Sequence, residues 1–263
     1  MADETPTPRP ENLGPGLAFE RPILEMEQKI VELERLAAST RLDLNGEVKL
    51  LKERLRKTIE ETYRQLTPWE RVNVARHQDR PISQDYVAQV FEDFFELHGD
   101  GVFGDDKAIM TGLARLEGRS LMFVAHRKGK TTKERLACNF GCAHPEGYRK
   151  ALRKMKLAER LRIPIVCFIN TPGAYPGIGA EERDQARAIA ENIMEMFTLR
   201  TPIVVIVVGE GGSGGALGIG VGDIVAILQH AYYSVISPRP ARRFCGIAAS
   251  APRRGEGAAG HGR

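Results

Sequence analysis

Residues 201–223 read TPIVVIVVGEGGSGGALGIGVGD, an apolar run that leads directly into a glycine-rich segment. The run from Ile203 to Val208 has the length of a buried strand. Earlier in the chain, residues 163–181 read IPIVCFINTPGAYPGIGAE and follow the same plan of proline entry, strand, glycine-rich turn and helix. The two copies lie about 40 residues apart, a spacing that predicts two turns of one stacked superhelix.

Strand and helix patterns alternate around these two copies. Residues 108–116 and 119–126 predict a hairpin across a Glu-Gly turn, and residues 145–161 predict a helix that begins at a proline. We expect two further single helices, over 86–100 and 179–199, and two short strands that close the series. This alternation predicts an α/β fold with parallel strands.

The composition divides the chain into four segments. Residues 1–20 are predicted to be a flexible leader, and residues 21–84 a helical region that contains a hairpin with its turn at Asn45-Gly46. Such a hairpin is typical of packing or oligomerisation. Residues 85–238 form the predicted α/β domain, and residues 239–263 form a low-complexity tail rich in Arg, Ala and Gly.

Charge, apolar runs and cysteine count argue against several classes of protein. The chain has 263 residues and a net charge of +4, which is too mild to indicate nucleic-acid binding. The sequence lacks the apolar core of a secretory signal and any run long enough to span a membrane. Four cysteines in a chain of this length do not suggest a disulfide framework. We therefore expect a protein of a reducing cytoplasm.

The glycine-rich segment matches two short motifs whose chemistry it does not support. Gly209, Gly211 and Gly214 spell the dinucleotide fingerprint, but no acidic residue stands about 20 positions downstream to hold a ribose. The G-x-S-x-G pattern around Ser213 would need a downstream acid and histidine, and neither stands at a suitable distance. A P-loop is excluded because no Lys-Ser/Thr pair follows the glycines.

A third interpretation uses only the backbone of this segment. A glycine-rich turn between a strand and a helix can direct consecutive N–H groups into one cavity, where they bind a developing oxyanion. Glycine suits this role because a side chain would block the approach of the ligand oxygen. The turn at 171–181 fits the same picture, with two prolines that stiffen it and Tyr175 as an aromatic wall. A turn that merely reverses the chain stays open as the alternative for that loop.

Other candidate residues are assigned structural roles. Cys138 and Cys142, with His144 nearby, lack the spacing of a zinc pair and a second cluster, so no metal site is predicted. His98 is expected to order a turn. The basic run at 127–141 is interpreted as a solvated face, although it could hold the phosphates of a coenzyme.

Four ordered motifs resemble those of a known family. They are FELHGDGVFGDDKAI at 95–109, HRKGKTTKERLACNFGCAHPEGYRKALRKMKLAE at 126–159, FINTPGAYPGIGAEER at 168–183, and VVGEGGSGGALGIGVGD at 207–223, which YSVISP follows. Together they resemble the alpha-subunit family of acetyl-coenzyme A carboxylase carboxyltransferases from about Phe19 to Pro238. The resemblance implies a crotonase-like (ClpP/crotonase) α/β fold of stacked ββα units with an N-terminal helical hairpin extension.

The resemblance also implies an activity and site residues. Carboxybiotin on a carrier protein would release CO2 and leave a ureido oxyanion, and acetyl-CoA would lose a methyl proton and take up the CO2 to give malonyl-CoA. The backbone N–H groups of Gly211 and Gly212 would stabilise the biotin oxygen. A bulky residue at Gly212 would then be expected to lower carboxyl transfer and to leave the fold mostly intact. The implied biotin and substrate pocket consists of Gly173, Ala174, Tyr175, Pro176, Gly177, Gly214 and Gly215.

Partners follow from the same resemblance. A beta subunit with a zinc ribbon would complete the active site in an α2β2 heterotetramer, together with a biotin carboxyl carrier protein and a biotin carboxylase. ATP binding is also expected of this protein, and the lack of a transit peptide favours the bacterial cytoplasm over a plastid. Two alternatives stay open: a crotonase-type acyl-CoA hydratase or isomerase, and an inactive truncated scaffold.

The sequence departs from the family at two places. The strand that usually ends in Asp-Thr-Pro-Gly-Ala has Asn170 at its first position, which removes a charge expected at the mouth of the loop. After Pro238 the family continues as Glu-(Gly/Ala)-Cys-Ala-(Ser/Ala)-Ile-Leu-Trp and then into further helices, whereas this chain continues into the Arg-rich tail.

A frameshift near Pro238, in the gene or in its sequencing, is our hypothesis for the tail. Codons for Arg242 to Ile247 can be chosen so that a shifted frame encodes Ala-Ile-Leu-Trp-His, which matches the family continuation. Resequencing the gene is expected to reveal the shift, and an intact frame without ambiguous G/C runs would contradict a sequencing error.

Overall fold

The computed structural model describes residues 16–40, 43–236 and 238. The described residues do not include most of the predicted leader or any of the predicted tail at 239–263. The residues on which the frameshift hypothesis rests therefore lie outside the described ranges. The chain divides into two compact units, Met1–Arg80 and Pro81–Arg263. Within the described ranges, no helix combines the length and the apolar character that crossing a lipid bilayer requires.

The first unit is helical. A 3₁₀ turn, Ala18–Glu20, leads into α1 (Arg21–Thr40), α2 (Asn45–Arg64) and α3 (Pro68–Ala75). Helices α1 and α2 pack through Ile23, Ile30 and Leu55, whose spacing places them on one apolar stripe of each helix. The turn expected at Asn45-Gly46 is misplaced by a few residues, because α2 already begins at Asn45, whose N–H donates to the Asp43 carboxylate (3.2 Å).

The second unit contains a seven-stranded sheet and six helices among its described residues. Its elements in chain order are α4 (Ser83–Val90), β1 (Glu92–Glu96), β2 (Ile109–Leu116), β3 (Arg119–His126), α5 (Thr132–Ala137), α6 (Pro145–Leu161), β4 (Ile165–Thr171), α7 (Ile178–Glu181), α8 (Gln185–Met196), β5 (Ile203–Gly212), α9 (Ser213–Leu217), β6 (Ile224–Ile227) and β7 (Tyr232–Ser234).

The sheet order is β1-β2-β3-β4-β5-β6, and β7 pairs with the end of β5. Strands β1 to β3 are antiparallel, whereas β3 to β6 run parallel, as the βα alternation predicts. The predicted hairpin is confirmed: Glu117 and Gly118 have φ angles of 51° and 74°, the positive values that a tight two-residue turn requires.

The prediction of a single helix over 86–100 is wrong. Helix α4 ends at Val90, and the chain continues as strand β1 along β2. The rings of Phe91 and Phe94 lie 5.0 and 6.1 Å from the ring of Phe123 on the sheet face. Gly112 on β2 leaves room for Phe94, since a Cβ there would lie 2.6 Å from its ring. Packing on the sheet overrides the helical pattern of the local sequence.

The helix expected over 179–199 is interrupted. Helices α7 and α8 are separated at Asp184, which has a left-handed φ of 66°. The break accompanies two long-range contacts: Arg183 donates to Glu146 on α6 (3.0 and 3.2 Å), and the Gln185 amide donates to the Ala143 carbonyl (2.8 Å).

The two faces of the sheet carry separate cores. On β4, Ile165, Cys167 and Ile169 face the larger core beneath α6 and α8, while Val166 and Phe168 belong to the second core with Phe123. This period of two is the alternation of an extended strand. Because β4 and β5 are buried on both faces, their sequences are nearly continuous apolar runs. The two strands are parallel, so their carboxyl ends lie at the same edge of the sheet.

Asn192 joins three elements of the larger core. Its side-chain amide donates to the carbonyls of Tyr148 on α6 (2.9 Å) and Gly218 after α9 (2.8 Å). The Tyr148 hydroxyl in turn donates to the Gly215 carbonyl (3.2 Å). Asn192 therefore holds the glycine-rich helix α9 against the body of the domain.

Replacement of Asn192, which is 1% exposed, by Ala is expected to lower the free energy of unfolding. The change leaves two buried carbonyls without this donor, at a cost of about 1–3 kcal/mol each. Urea unfolding followed by circular dichroism measures the effect. Met194→Ala on the same helix is the control, because Met194 is 62% exposed. Equal stability of the two variants would contradict the role of Asn192.

Candidate functional site

Two glycine-rich turns meet at the carboxyl ends of β4 and β5. The strands are adjacent and parallel, and their pairing extends to Thr171 opposite Gly211. The segment after β4 begins at Pro172, and β5 passes directly into α9 at Gly212. The carboxyl edge of a parallel sheet is where ligands of α/β proteins bind.

The two turns pack backbone against backbone. A Cβ on Gly212 would lie 2.1 Å from the Pro172 carbonyl oxygen, and a Cβ on Gly215 would lie 2.3 Å from the Ala174 nitrogen. Real Cβ atoms do not approach other atoms so closely. Glycine is therefore required here by the neighbouring turn, and not only by access for a ligand.

This contact corrects one expectation. A bulky residue at Gly212 was predicted to leave the fold mostly intact, but the space for its side chain is filled by the Pro172 and Gly173 backbone. Gly211 is also covered, because a Cβ there would lie 2.6 Å from the ring of Tyr233 on β7.

Gly173 and Gly214 differ from these packed positions. Nothing lies within 4 Å of a Cβ position on Gly173, whose φ of 154° is one that side chains rarely adopt. Thr171 fixes this conformation, since its hydroxyl donates to the Gly173 carbonyl (2.7 Å) and accepts from the Gly173 N–H (3.1 Å). At Gly214 the nearest atom is Ile189, 3.9 Å away. These two glycines mark the open side of the paired turns.

The outer part of the first turn is fixed by His144, whose position near Cys138 and Cys142 in the sequence suggested only a metal ligand. The rings of His144 and Tyr175 stack with centroids 4.0 Å apart. The Tyr175 N–H donates to the Ala143 carbonyl (3.0 Å), and a Cβ on Gly177 would lie 2.3 Å from the Tyr175 ring. Tyr175 is therefore held in one position, while Pro176 is exposed.

Asn170 and His126 form hydrogen bonds at the base of the two turns, where β4 and β5 end. The Asn170 side-chain oxygen accepts from the Glu210 N–H (3.3 Å), and the Asn170 N–H donates to Nδ1 of His126 (3.4 Å). Burial lowers the pKa of His126 to about 4, so the ring is neutral and able to accept that bond. Asn170 is 3% exposed, and it fastens β4 to β5 instead of standing at the mouth of the loop.

Lys128 and Glu210 form a second pair, which no motif in the sequence indicates. The Lys128 ammonium contacts the Glu210 carboxylate, and the Tyr232 hydroxyl donates to the same carboxylate (2.8 Å). The signal in the sequence is weak, because the two residues are 82 positions apart.

The remaining candidates have structural surroundings. His98 contacts the Asp105 carboxylate (3.0 Å), in line with its expected role in ordering a turn. Cys138, Cys142 and Cys167 are free thiols, and burial raises the pKa of Cys142 to about 11. Within the described residues, no three His, Cys, Asp or Glu side chains are placed to hold a metal ion.

Comparison with known proteins now gives the family. Residues 16–244 match the model of the acetyl co-enzyme A carboxylase carboxyltransferase-like family. The chain belongs to this family. It is 56% identical over 225 residues to the acetyl-coenzyme A carboxylase carboxyl transferase subunit alpha of Rhodopirellula baltica, covering 86% of this chain and 70% of the relative. The corresponding protein of Bacillus subtilis is 51% identical over 229 residues, 87% of this chain and 70% of the relative.

Solved structures support the fold. The chain is similar to transcarboxylase 12S with a TM-score of 0.56 and 20% identity, over 73% of this chain and 35% of that one. It is also similar to the beta subunit of Pseudomonas aeruginosa geranyl-CoA carboxylase, with a TM-score of 0.53 and 17% identity over 66% of this chain and 35% of that one. The chain thus spans about a third of these structures. The expected crotonase-like fold is confirmed.

The comparisons support carboxyl transfer as the class of reaction. They do not support the expected ATP binding, which belongs to the biotin carboxylase and not to a carboxyltransferase chain. The individual site residues stay predictions.

Replacement of Gly212 by Ala is expected to destabilise the domain, because the new methyl group overlaps the Pro172 carbonyl and the turns must separate. Overpacking of this kind typically costs about 1–3 kcal/mol. Gly214→Ala is the matched control, since its methyl group makes only ordinary contact with Ile189. Urea unfolding compares the two variants. Equal midpoints would show that the turns do not depend on their backbone contact.

Proposed function

We propose that this chain is the alpha subunit of an acetyl-CoA carboxylase carboxyltransferase, which moves a carboxyl group from carboxybiotin to acetyl-CoA and yields malonyl-CoA. The observation that carries this proposal is the pair of glycine turns at one sheet edge, in a member of the carboxyltransferase family. The overall reaction is balanced, because the carboxyl group gained by the acetyl methyl carbon is exchanged for the proton that biotin takes up.

Backbone donors are the chain's proposed contribution to the chemistry. When bound, carboxybiotin supplies the carboxyl group as its nitrogen–carbon bond breaks. Negative charge then develops on an oxygen, and we assign its stabilisation to the N–H groups of Gly211 and Gly212. Donors fixed before the reaction need no reorganisation as the charge appears. The contact of Gly212 with Pro172 supplies that rigidity.

The pocket for biotin is proposed along the first turn, from Gly173 to Gly177, with Gly214 and Gly215 opposite. Two observations support this placement. Gly173 has open space where a side chain would be, so a flat ring can approach its backbone. Tyr175 is held by its stack on His144 and can serve as a fixed aromatic wall.

A multi-subunit complex is proposed because the curated relatives are named as alpha subunits. We expect a zinc-ribbon beta subunit in an α2β2 heterotetramer, a biotin carboxyl carrier protein and a biotin carboxylase. The coenzyme A thioester would be bound chiefly by the beta subunit. Since the curated relatives named above are bacterial, the bacterial cytoplasm is the proposed location.

A hydratase or isomerase of the crotonase type is the rival function. It would need a carboxylate free to move protons beside the oxyanion donors. Glu210 is the carboxylate of the turn at 209–215, and its two oxygens contact Lys128 and Tyr232. That engagement favours a supporting role for Glu210 and disfavours acid–base catalysis.

Reconstitution tests the proposal. The purified chain, mixed with the beta subunit of a bacterial acetyl-CoA carboxylase, is expected to catalyse malonyl-CoA-dependent carboxylation of free biotin. The product acetyl-CoA is measured by a coupled assay. Either chain alone is expected to be inactive, because the site is proposed to form where the subunits meet.

Two results would contradict the proposal. Hydration of crotonyl-CoA by this chain without biotin would favour the rival enzyme class. A complex that assembles, as judged by size-exclusion chromatography, but carboxylates no biotin would favour the inactive scaffold.

A further inference from the structure

Lys128 and Glu210 form an ion pair beside the glycine turn. Glu210 is 3% exposed and immediately precedes Gly211, and Lys128 follows β3 two residues after His126. The ammonium and carboxylate are in direct contact, and the Lys128 side chain is 18% exposed. Two opposite charges thus lie largely out of water next to the proposed oxyanion donors.

The sign of each charge matters at this position. A carboxylate buried beside a site that must stabilise a developing anion would repel that anion, and the repulsion is strong where water is excluded. The Lys128 ammonium offsets the negative charge of Glu210. The pair is therefore electrically neutral as a unit, and the backbone N–H groups can act on the oxyanion without opposition.

Glu210 is also fixed mechanically. Its carboxylate accepts from Tyr232 on β7 (2.8 Å), and its N–H donates to the Asn170 side chain on β4 (3.3 Å). The peptide group that joins Glu210 to Gly211 carries the Gly211 N–H. Contacts on both sides of Glu210 restrict rotation of this peptide group.

Cys142 lies within electrostatic reach of both charges. Burial is the main cause of its raised pKa, the Glu210 charge raises it further, and the Lys128 charge lowers it. Cys142 is partly buried. The alkylation rate of a thiol depends on its thiolate fraction, so it responds to both charges in the isolated chain.

We propose that Lys128 is a positioning and charge-compensating residue for carboxyl transfer, which neutralises the buried Glu210 carboxylate so that the turn at Gly211-Gly212 can stabilise an oxyanion. This inference rests on the proposed function for its catalytic consequence. The ion pair itself is a property of the chain.

Three variants in the reconstituted complex test the sign of the effect. Lys128→Met leaves Glu210 negative and uncompensated, and kcat is expected to fall roughly tenfold or more with KM for malonyl-CoA little changed. Glu210→Gln keeps Lys128 positive and retains one side-chain oxygen that can accept from the Lys128 ammonium, so kcat is expected to stay within about threefold. The double variant K128M/E210Q is expected to recover most of the loss, because the carboxylate is gone.

If the Lys128–Glu210 pair only stabilised the fold, the three variants would rank differently in kcat. In that case E210Q and K128M both lower kcat, and the double variant is no better than K128M, a result that would overturn the inference. A rise in KM instead of a fall in kcat for K128M would indicate direct substrate binding, and it would overturn the inference as well. Lys156→Met is the control, because Lys156 makes an exposed ion pair with Glu195 (2.9 Å).

Alkylation of Cys142 separates this inference from the proposed function. In the isolated chain, iodoacetamide is expected to modify Cys142 more slowly in K128M and faster in E210Q than in the wild type, as followed by peptide mass spectrometry. Cys142→Ser provides the blank. If the wild-type complex is inactive, the proposed function fails, while the alkylation rates still test the charge pair. Equal alkylation rates of Cys142 in K128M and E210Q would overturn the inferred charge compensation.

Discussion

The carbonyl of Pro172 occupies the space in which a side chain on Gly212 would lie. This contact between two backbones, 40 positions apart in the sequence, is the constraint on which the site depends. It requires glycine at Gly212 and Gly215, and it fixes the distance between the ends of β4 and β5. Neither turn is free to adjust without moving the other.

The rest of the domain holds this contact in place. Both strands are buried on each face, so their carboxyl ends cannot shift along the sheet without exposing one of the two cores. Helix α9 is held by two hydrogen bonds: the Gly218 carbonyl accepts from the Asn192 side chain, and the Gly215 carbonyl accepts from the Tyr148 hydroxyl. The polar groups around the turns are similarly engaged: Asn170 bridges the strands, and Glu210 contacts Lys128. A rigid backbone site follows from these neighbours and does not come from the glycines alone.

Local sequence patterns predicted much of the fold. The repeated strand–turn–helix plan identified β4 and β5, and the hairpin at Glu117-Gly118 and helix α6 were predicted from their own residues. The errors at 86–100 and 179–199 share one cause. In each segment a helical pattern is broken by contacts with residues distant in the chain, Phe123 in the first case and Glu146 in the second.

The sequence by itself determined the fold class, the family and the positions of the two glycine turns, because ordered motifs and short-range periodicity encode these features. Only the tertiary structure decided why individual glycines are needed. Gly212 is excluded from bearing a side chain by a neighbouring backbone, whereas Gly173 faces open space in a left-handed conformation. It also decided that Lys128 meets Glu210, 82 positions away, since such a contact forms only when β3 and β5 enter the same sheet.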